Sequence, residues 1–240
     1  MKKVKSLIAD YKLLLDSVPA LVTTIFVLTT VLMNFMAGKI IFTVAGSVFT
    51  GGFLLSAMPF LCMDAVTKRF GAKASIMLNV LSAIGNLFAV VMLAIVAAIP
   101  TADDYSQFNY IFGGVWFIAL SSTLAFVLSG VANSILNAAI GSIFKNKTSA
   151  LEFYSRSYIS TFIGQAIDNF LFIFLTYAVF APIFWGTTPV SALSCLGTAI
   201  IGGFIELLAE VVLSPVAFRI VKRWERDKVG QAYIDAQNAA

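Results

Sequence analysis

The sequence contains no histidine, only two cysteines and few charged residues. Charged residues make up 12% of its 240 residues, about half of the roughly 25% that is typical of soluble domains. The absence of histidine excludes imidazole acid–base chemistry. Cys62 and Cys195 lie far apart, each inside an apolar run, so they predict neither a disulfide framework nor a metal site.

Apolar side chains take the place of the missing charges. Hydrophobic residues make up 60% of the chain, and a helix that crosses a bilayer core of about 30 Å needs roughly 20 residues. The apolar runs predict an all-α membrane protein with six transmembrane helices in one bundle, forming a single integral membrane domain over residues 1–240. The predicted spans lie near 17–38, 52–69, 74–99, 110–143, 154–182 and 191–222.

The region in front of the second span differs from a continuous helix. The stretch "GKIIFTVAGSVFTGGFLL", residues 38–55, is rich in β-branched residues and glycine. Such a composition favours strands and turns over helix. The sequence therefore predicts a short hairpin or a broken segment between helices 1 and 2.

Basic residues lie in short segments beside the apolar runs. They precede span one, follow span six and occupy the loops after spans two and four, whereas the other loops contain Lys39, Asp103 and Asp104. By the positive-inside rule, we expect both termini to be cytoplasmic and the chain to be a multi-pass protein of the inner (cytoplasmic) membrane. The basic residues that give the net charge of +4 then act as an insertion signal through their positions. No nucleic-acid partner is expected. In the tail, Trp224 is predicted at the headgroup level, followed by a frayed terminus.

Polar residues recur at helical spacing inside three of the predicted spans. In span five, Thr161, Gln165 and Asp168 share one face. The stripes in spans three and four consist of Asn79, Ser82 and Asn86, and of Ser129, Asn133 and Asn137. Neutral polar side chains on membrane helices commonly do no more than join neighbouring helices. That is the preferred interpretation for Ser82, Ser129 and Asn137.

Ionisable residues inside the spans point more strongly to function. Such a group at the bilayer centre costs about 2.5–3.5 kcal/mol on insertion scales, so it normally faces the bundle interior or a water-filled cavity. Asp168 has no basic residue within one helical turn and is predicted to bind a ligand. Glu206 and Glu210 stand one turn apart in span six, which suits either proton coupling or neutralisation of a lysine on another helix. Several such groups on separate helices predict one shared cavity.

Four residues are predicted to act in coupling or gating: Asp64, Lys68, Arg156 and Glu210. Arg156 lies about 18 Å along the helix from Asp168 at 1.5 Å per residue, too far for a pair within the helix. It is interpreted as an anchor at the cytoplasmic end or as a gate. Lys68 and Arg69 stand at a span end, where basic side chains usually extend to the membrane surface.

Two sequence blocks resemble the vitamin uptake transporter family, also called the queuosine precursor transporters. In "PFLCMDAVTKRFGAKASIML", the residues that match the family pattern are Pro59, Asp64, Phe70 and Gly71. In "SRSYISTFIGQAIDNFLFIF", residues 155–174, the matching residues are Ser160, Gly164, Gln165 and Asp168. Asn34 and Lys39 fit an asparagine and a lysine near the end of the first helix. With the spans and loop spacing, the likeness covers most of residues 17–222.

The chain departs from this family pattern at three places. Many members have a glutamate where Lys68 stands, and span four repeats the glutamine–aspartate pattern where this chain has Gly130 and Asn133. Span six often holds a lysine in the region of Glu206. These departures bear on the substrate more than on the fold.

The resemblance implies import of a queuosine precursor, a 7-deazaguanine such as 7-cyano-7-deazaguanine or its aminomethyl analogue. One carboxylate can accept both N–H donors of a guanine-like edge, and an amide can donate to O6. Asp168 and Gln165 would supply this set, Phe162, Trp116 or Phe53 would stack on the ring, and Glu206 would face an aminomethyl cation. The predicted substrate-binding residues are Asp168, Gln165, Asn34, Asn86, Asn133, Glu206 and Phe162.

The sequence leaves an alternative to uptake by this chain alone. The family is distantly similar to the substrate-binding subunits of energy-coupling factor (ECF) transporters, so the alternative is such a subunit for another small planar solute. The chain has no paired metal-binding aspartates, GxSxG motif or phosphate-binding glycine loop, so we expect no enzyme, cofactor or metal site. The expected partners are the lipid bilayer and a deazapurine. The sequence does not decide between a monomer, a homodimer and a complex with an ECF ATPase module.

Overall fold

A computed structural model of the chain describes residues 2–37, 39–44, 47–100, 116–144 and 149–239. Its helices are α1 (Lys2–Ser17), α2 (Ala20–Met36), α3 (Ala57–Phe70), α4 (Ala72–Ala98), α5 (Trp116–Ile143), α6 (Ala150–Ile173), α7 (Ala181–Trp185), α8 (Ala192–Arg226) and α9 (Gln231–Asn238). Strands β1 (Ile40–Val44) and β2 (Ser47–Thr50) and a 3₁₀ turn (Gly51–Leu54) separate α2 from α3. A π-helical segment (Phe174–Phe180) joins α6 to α7.

Four helical regions are long and apolar enough to cross a membrane: Ala72–Ala98, Trp116–Ile143, Ala150–Trp185 and Ala192–Arg226. Helices α1 and α2, bent by 108° relative to each other, make a fifth if they count as one span. Helix α3 has 14 residues and is about 21 Å long, shorter than the hydrocarbon core of about 30 Å. The all-α membrane architecture is confirmed, whereas six spans are not confirmed within the described residues. The predicted start of span four, 110–115, lies outside them.

The break between α1 and α2 has a local cause in the sequence. Pro19 stands at the junction, and proline has no N–H to donate and disfavours helical geometry in the residue before it. The chain therefore turns sharply at Val18 and Pro19. The sequence interpretation placed one span at 17–38 and did not foresee α1 as a separate helix.

The predicted hairpin between the first two membrane helices is present. Strands β1 and β2 pair antiparallel, with Val44 opposite Ser47. The 3₁₀ turn that follows lies directly against α2, because Gly51 and Gly52 have no side chain. A Cβ atom on Gly52 would stand 2.7 Å from the carbonyl oxygen of Met33. This close approach fixes the hairpin and the turn over one end of the bundle.

The bundle buries polar side chains among apolar ones in its interior and exposes apolar side chains on its outside. Every residue of the stripes on α4 and α5, together with Thr161 and Gln165 on α6, is at most 1% exposed. Large apolar side chains such as Leu21, Phe88 and Val212 are at least 67% exposed. Because lipid tails are themselves apolar, membrane helices associate through close packing and interhelical hydrogen bonds. The predicted stripes therefore all face inward.

Both termini lie at one end of the bundle. Lys73, at the start of α4, forms an ion pair with Asp10 of α1 at 2.8 Å, and Arg69 Nε donates to the carbonyl of Val229 at 3.0 Å. Helix α9 follows a left-handed turn at Gly230 and buries the ring of Tyr233 completely.

The prediction of a frayed C-terminus is therefore wrong. Tyr233 packs against Phe70, with ring centroids 6.4 Å apart. Trp224 is buried against the same ring at 5.9 Å, so its side chain packs inside the protein. Burial of these aromatic rings against one another holds the tail on the bundle.

Candidate functional site

A cavity lies beside the hairpin, at the end of the bundle opposite the termini. Its volume is about 40 Å³, room for about three water molecules at roughly 10–15 Å³ each. It is lined by residues from α2, the hairpin, the 3₁₀ turn, α5, α6 and α8: Met33, Ala37, Phe49, Thr50, Gly52, Phe53, Ser56, Ser122, Asp168, Asn169, Phe172, Ile173 and Glu206.

Two carboxylates from different helices face this cavity. Asp168 Oδ1 accepts a hydrogen bond from Ser129 at 3.0 Å. Glu206 Oε2 accepts one from Asn169 Nδ2 at 2.9 Å, and Ser56 lines the same cavity. Among the residues that the structure describes, none that lines the cavity is basic. The cavity therefore favours a ligand that brings N–H donors or a positive charge.

Close packing of α6 and α8 positions the amide of Asn169. A Cβ atom on Gly202 would stand 2.7 Å from Asn169 Nδ2, so glycine at this position gives the amide room between the helices. The same approach brings Asn169 within reach of Glu206. One residue without a side chain thus allows an amide and a carboxylate to share the cavity wall.

Aromatic rings also line the cavity. Phe49 and Phe53 meet edge to face, with centroids 5.5 Å apart, and Phe172 lines the cavity from α6. Flat rings offer π-faces on which a planar heterocycle can stack.

A second group of charges, here called the ion cluster, joins Lys68, Glu152 and Arg156. Glu152 accepts from Lys68 Nζ at 2.6 Å and from Arg156 Nη1 at 3.0 Å. All three side chains are at most 8% exposed, and Arg156 Nε also donates to Asn137 at 2.7 Å. The expectation that Lys68 extends to the membrane surface is wrong, because a buried carboxylate holds its ammonium group inside the bundle.

Glu152 was missed by the sequence analysis, although two signals could have found it. It stands three residues after Ser149, whose hydroxyl accepts from the Glu152 backbone N–H and caps α6. It also stands one turn before Arg156, the spacing of an intrahelical ion pair. These signals alone do not show that Lys68 comes from another helix to complete the cluster.

A third group, here called the acid pair, consists of Asp64 and Glu210 with Ser157 between them. The cavity, the acid pair and the ion cluster follow one another along α6. The prediction of one shared cavity is therefore corrected, since the intramembrane charges divide into three groups at different depths.

A family model described as "Putative vitamin uptake transporter" matches residues 50–220, more than two thirds of the chain. The chain belongs to the vitamin uptake transporter family. The resemblance inferred from the two motif blocks is confirmed. The protein is a multi-pass membrane transporter and not an enzyme.

All five acids of the three groups lie within the matched range. No curated protein and no solved structure matches this transporter.

Two of the predicted substrate-binding residues, Asp168 and Glu206, line the transporter's cavity. Two others lie one hydrogen bond behind it. Gln165 Nε2 donates to the carbonyl of Ser56 at 3.4 Å, and Asn34 accepts from the hydroxyl of Ser122. Both Ser56 and Ser122 line the cavity, so Gln165 and Asn34 support its wall.

The other three predicted residues do not line the cavity. Asn86 donates to Thr123 between α4 and α5, and Asn133 donates to Asp64 at 2.9 Å. Phe162 packs against Phe204 on α8, with centroids 4.7 Å apart.

Trp116, a stacking candidate, packs against Phe117 and Phe184 instead. Helical spacing identified the inward face of each helix but not the depth at which a side chain meets a neighbour.

Two residues of the site were not predicted to belong to it: the sequence assigned no role to Asn169 and a packing role to Ser129. Asn169 follows Gln165 by one turn and therefore continues the same inward stripe. Ser129 was interpreted as packing, but it donates to Asp168 and orients that carboxylate. Helical spacing predicts that both side chains face inward. Only the packing of the helices shows which carboxylate each of them donates to.

Proposed function

We propose that this transporter imports a queuosine precursor, a 7-deazaguanine such as 7-cyano-7-deazaguanine or its aminomethyl analogue. One observation carries the proposal: two carboxylates and an amide face an aromatic-walled cavity whose lining contains no basic residue. A guanine-like edge presents two N–H donors beside one carbonyl acceptor, which is the complement of that lining.

Each group of the cavity has a role in this proposal. The Asp168 carboxylate accepts the ring N1–H and the exocyclic amine together, because its two oxygens match two adjacent donors. Asn169, rather than Gln165, donates to O6 through the second hydrogen of Nδ2, because Asn169 lines the cavity and Gln165 lies behind Ser56. Phe53 or Phe172 stacks on the ring. Glu206 faces the substituent and attracts the cation of the aminomethyl analogue.

The hairpin side of the cavity has to move for such a ligand to enter. A volume of about 40 Å³ holds roughly three waters, less than a bicyclic base requires. We assign the opening movement to the hairpin and the 3₁₀ turn, which cover the cavity at this end of the bundle.

The proposed orientation places this cavity on the outer side of the inner membrane. Both termini, at the opposite end, are then cytoplasmic, as the distribution of basic residues indicates. The 3₁₀ turn and α3 together form the second of six crossings. A hairpin-covered cavity on the outer side suits uptake.

A ligand panel tests the substrate. Binding to the folded state alone raises apparent stability, so 7-cyano-7-deazaguanine and its aminomethyl analogue are expected to raise the unfolding temperature of the purified transporter. Guanine, riboflavin and biotin serve as comparison ligands. A rise with a vitamin and with neither deazaguanine contradicts the proposal, and copurification of an ATPase module would indicate an ECF-type subunit instead.

Replacement of Asp168 tests the residue that the proposal depends on most. In cells that depend on external precursor, Asp168→Asn should insert normally but reduce formation of queuosine-modified tRNA at limiting precursor by tenfold or more. A hydrogen bond to a charged group is worth about 1.5–3 kcal/mol. Asp16→Asn, at an exposed position in α1, is the matched control. Unchanged uptake in Asp168→Asn would assign Asp168 to packing.

A further inference from the structure

The acid pair lies deep in the bundle, away from the cavity. Asp64 of α3 and Glu210 of α8 are at most 1% exposed. The hydroxyl of Ser157 lies within hydrogen-bonding distance of both Asp64 Oδ2 and Glu210 Oε1. Asp64 also accepts from Asn133 Nδ2 at 2.9 Å and from Thr161 Oγ1 at 3.1 Å.

The acid pair has fewer hydrogen-bond donors around it than acceptor oxygens. Ser157 has one hydroxyl hydrogen and donates to one carboxyl group at a time, although its oxygen lies within hydrogen-bonding distance of both. A hydrogen bond between the Ser157 oxygen and the second carboxyl group requires a proton on that carboxyl group. Two further buried acceptors, Glu210 Oε2 and Asn133 Oδ1, have no donor among the described residues. One bound proton supplies the missing donor.

Basic residues near the acid pair are engaged elsewhere. Lys68, one turn from Asp64, and Arg156, next to Ser157, both donate to Glu152. Neutral polar side chains reach this region from α4 and α5: Ser75 donates to the carbonyl of Met63 at 3.3 Å, and Asn133 donates to Asp64.

On α8, the neighbouring acid is Glu206, one turn away in the cavity wall. Within the described residues, no ion pair neutralises Asp64 or Glu210, and an isolated buried carboxylate normally neutralises by binding a proton.

Polar side chains of α6 lie between the acid pair and the cavity. Thr161, which donates to Asp64 at 3.1 Å, shares one face of α6 with Gln165 and Asp168, and the seven residues from Thr161 to Asp168 correspond to about 10 Å. The ring of Phe60 lies against Gly164 in this stretch of α6, where a Cβ atom would stand 2.8 Å from Phe60 Cε1.

We propose that Asp64 and Glu210, bridged by Ser157, bind the proton whose movement drives uptake. A proton from water on one side forms an O–H bond with a carboxylate oxygen of the pair. When that bond breaks, the proton leaves to water on the other side. The proposal rests on the uptake function and not on the identity of the substrate.

Infrared difference spectroscopy tests the proton directly and needs no substrate. In the purified transporter in lipid, a pH change should titrate the carbonyl-stretch band of a protonated carboxyl group. Glu210→Gln, which keeps the shape of the protonated side chain, should remove the acid pair's share of that band and leave any share from Asp168 and Glu206, and Asp64→Asn is the second variant. Glu225→Gln, at the partly exposed end of α8, should leave it unchanged. A wild-type band in both acid-pair variants, or a band that responds to sodium at constant pH, overturns the proposal.

Transport in vesicles tests the coupling with 7-cyano-7-deazaguanine as probe. A pH gradient should make wild-type vesicles accumulate the probe. Glu210→Gln should reduce this accumulation by tenfold or more, while exchange of labelled for unlabelled probe continues. Equal gradient-driven accumulation in Glu210→Gln overturns the coupling. Absence of exchange in the wild type contradicts the substrate proposal alone. The infrared measurement then shows independently whether the acid pair binds a proton.

Discussion

Glu152 and Asp168 are both acids on α6, and their neighbours give them different roles. Glu152 is fully buried between Lys68 and Arg156, which neutralise its charge inside the bundle. Asp168, about four turns further along, accepts one hydrogen bond from Ser129 and lines the cavity. An acid with a buried ionic partner holds helices together, whereas an acid beside a cavity remains available to a ligand.

Replacement of Glu152 should therefore reduce stability more than it affects substrate recognition. Glu152→Gln removes the carboxylate that two buried cations share, and breaking a buried ion pair typically costs about 3–5 kcal/mol. The free energy of unfolding, measured in detergent or lipid, should fall by about that amount.

Asp10→Asn is the control, because it breaks the more exposed pair with Lys73 and should cost no more than about 1 kcal/mol. Equal effects of the two variants would contradict a stabilising role for the ion cluster.

The element that organises the site is α6, which packs between α5 and α8. Its inward stripe contributes Glu152 and Arg156 to the ion cluster, Ser157 to the acid pair, and Asp168 to the cavity. The hairpin and the 3₁₀ turn have the complementary role of covering the cavity. Their position depends on the direct contact of Gly51 and Gly52 with the end of α2.

Addition of one methyl group to the 3₁₀ turn should disturb that cover. Gly52→Ala places a Cβ atom 2.7 Å from the Met33 carbonyl, and overpacking of this kind typically costs about 1–3 kcal/mol. The unfolding temperature should fall, and deazaguanine binding should weaken because Gly52 lines the cavity.

Gly85→Ala on α4 is the matched control. Its Cβ atom would meet Val27 at 3.8 Å, an ordinary contact, and alanine favours helix over glycine by roughly 1 kcal/mol. A stability loss in Gly85→Ala as large as that in Gly52→Ala would contradict this explanation.

In the whole molecule, function is separated between two ends. The termini, the turn between α3 and α4 and helix α9 contact one another at one end. The hairpin and cavity lie at the other, with the acid pair between them. A transporter needs such a division, because a site near one surface has to be connected with the other.

Chemical labelling of single cysteines tests the orientation of the whole molecule. After replacement of Cys62 and Cys195 by serine, Thr188→Cys, in the exposed segment after α7, should react with a membrane-impermeant thiol reagent added to intact cells. Asn238→Cys, at the exposed end of α9, should react only after the membrane is permeabilised. Reaction of both positions in intact cells would contradict cytoplasmic termini.

The sequence by itself determined that this protein resides in a membrane and which face of its helices points inward. Apolar content fixed the membrane architecture, because a chain with so few charges has no other stable environment. Helical spacing fixed the direction of Thr161, Gln165 and Asp168, and the glycine- and β-branched-rich stretch after α2 fixed the hairpin.

Only the tertiary structure decided which polar groups meet. It placed Glu206 beside Asp168 in the cavity, Glu210 beside Asp64 in the acid pair, and Lys68 on Glu152. Each pairing joins different helices and depends on how far one helix is shifted along the next. Periodicity within a single helix contains no information on that shift, since it is set by the close packing of all the helices together.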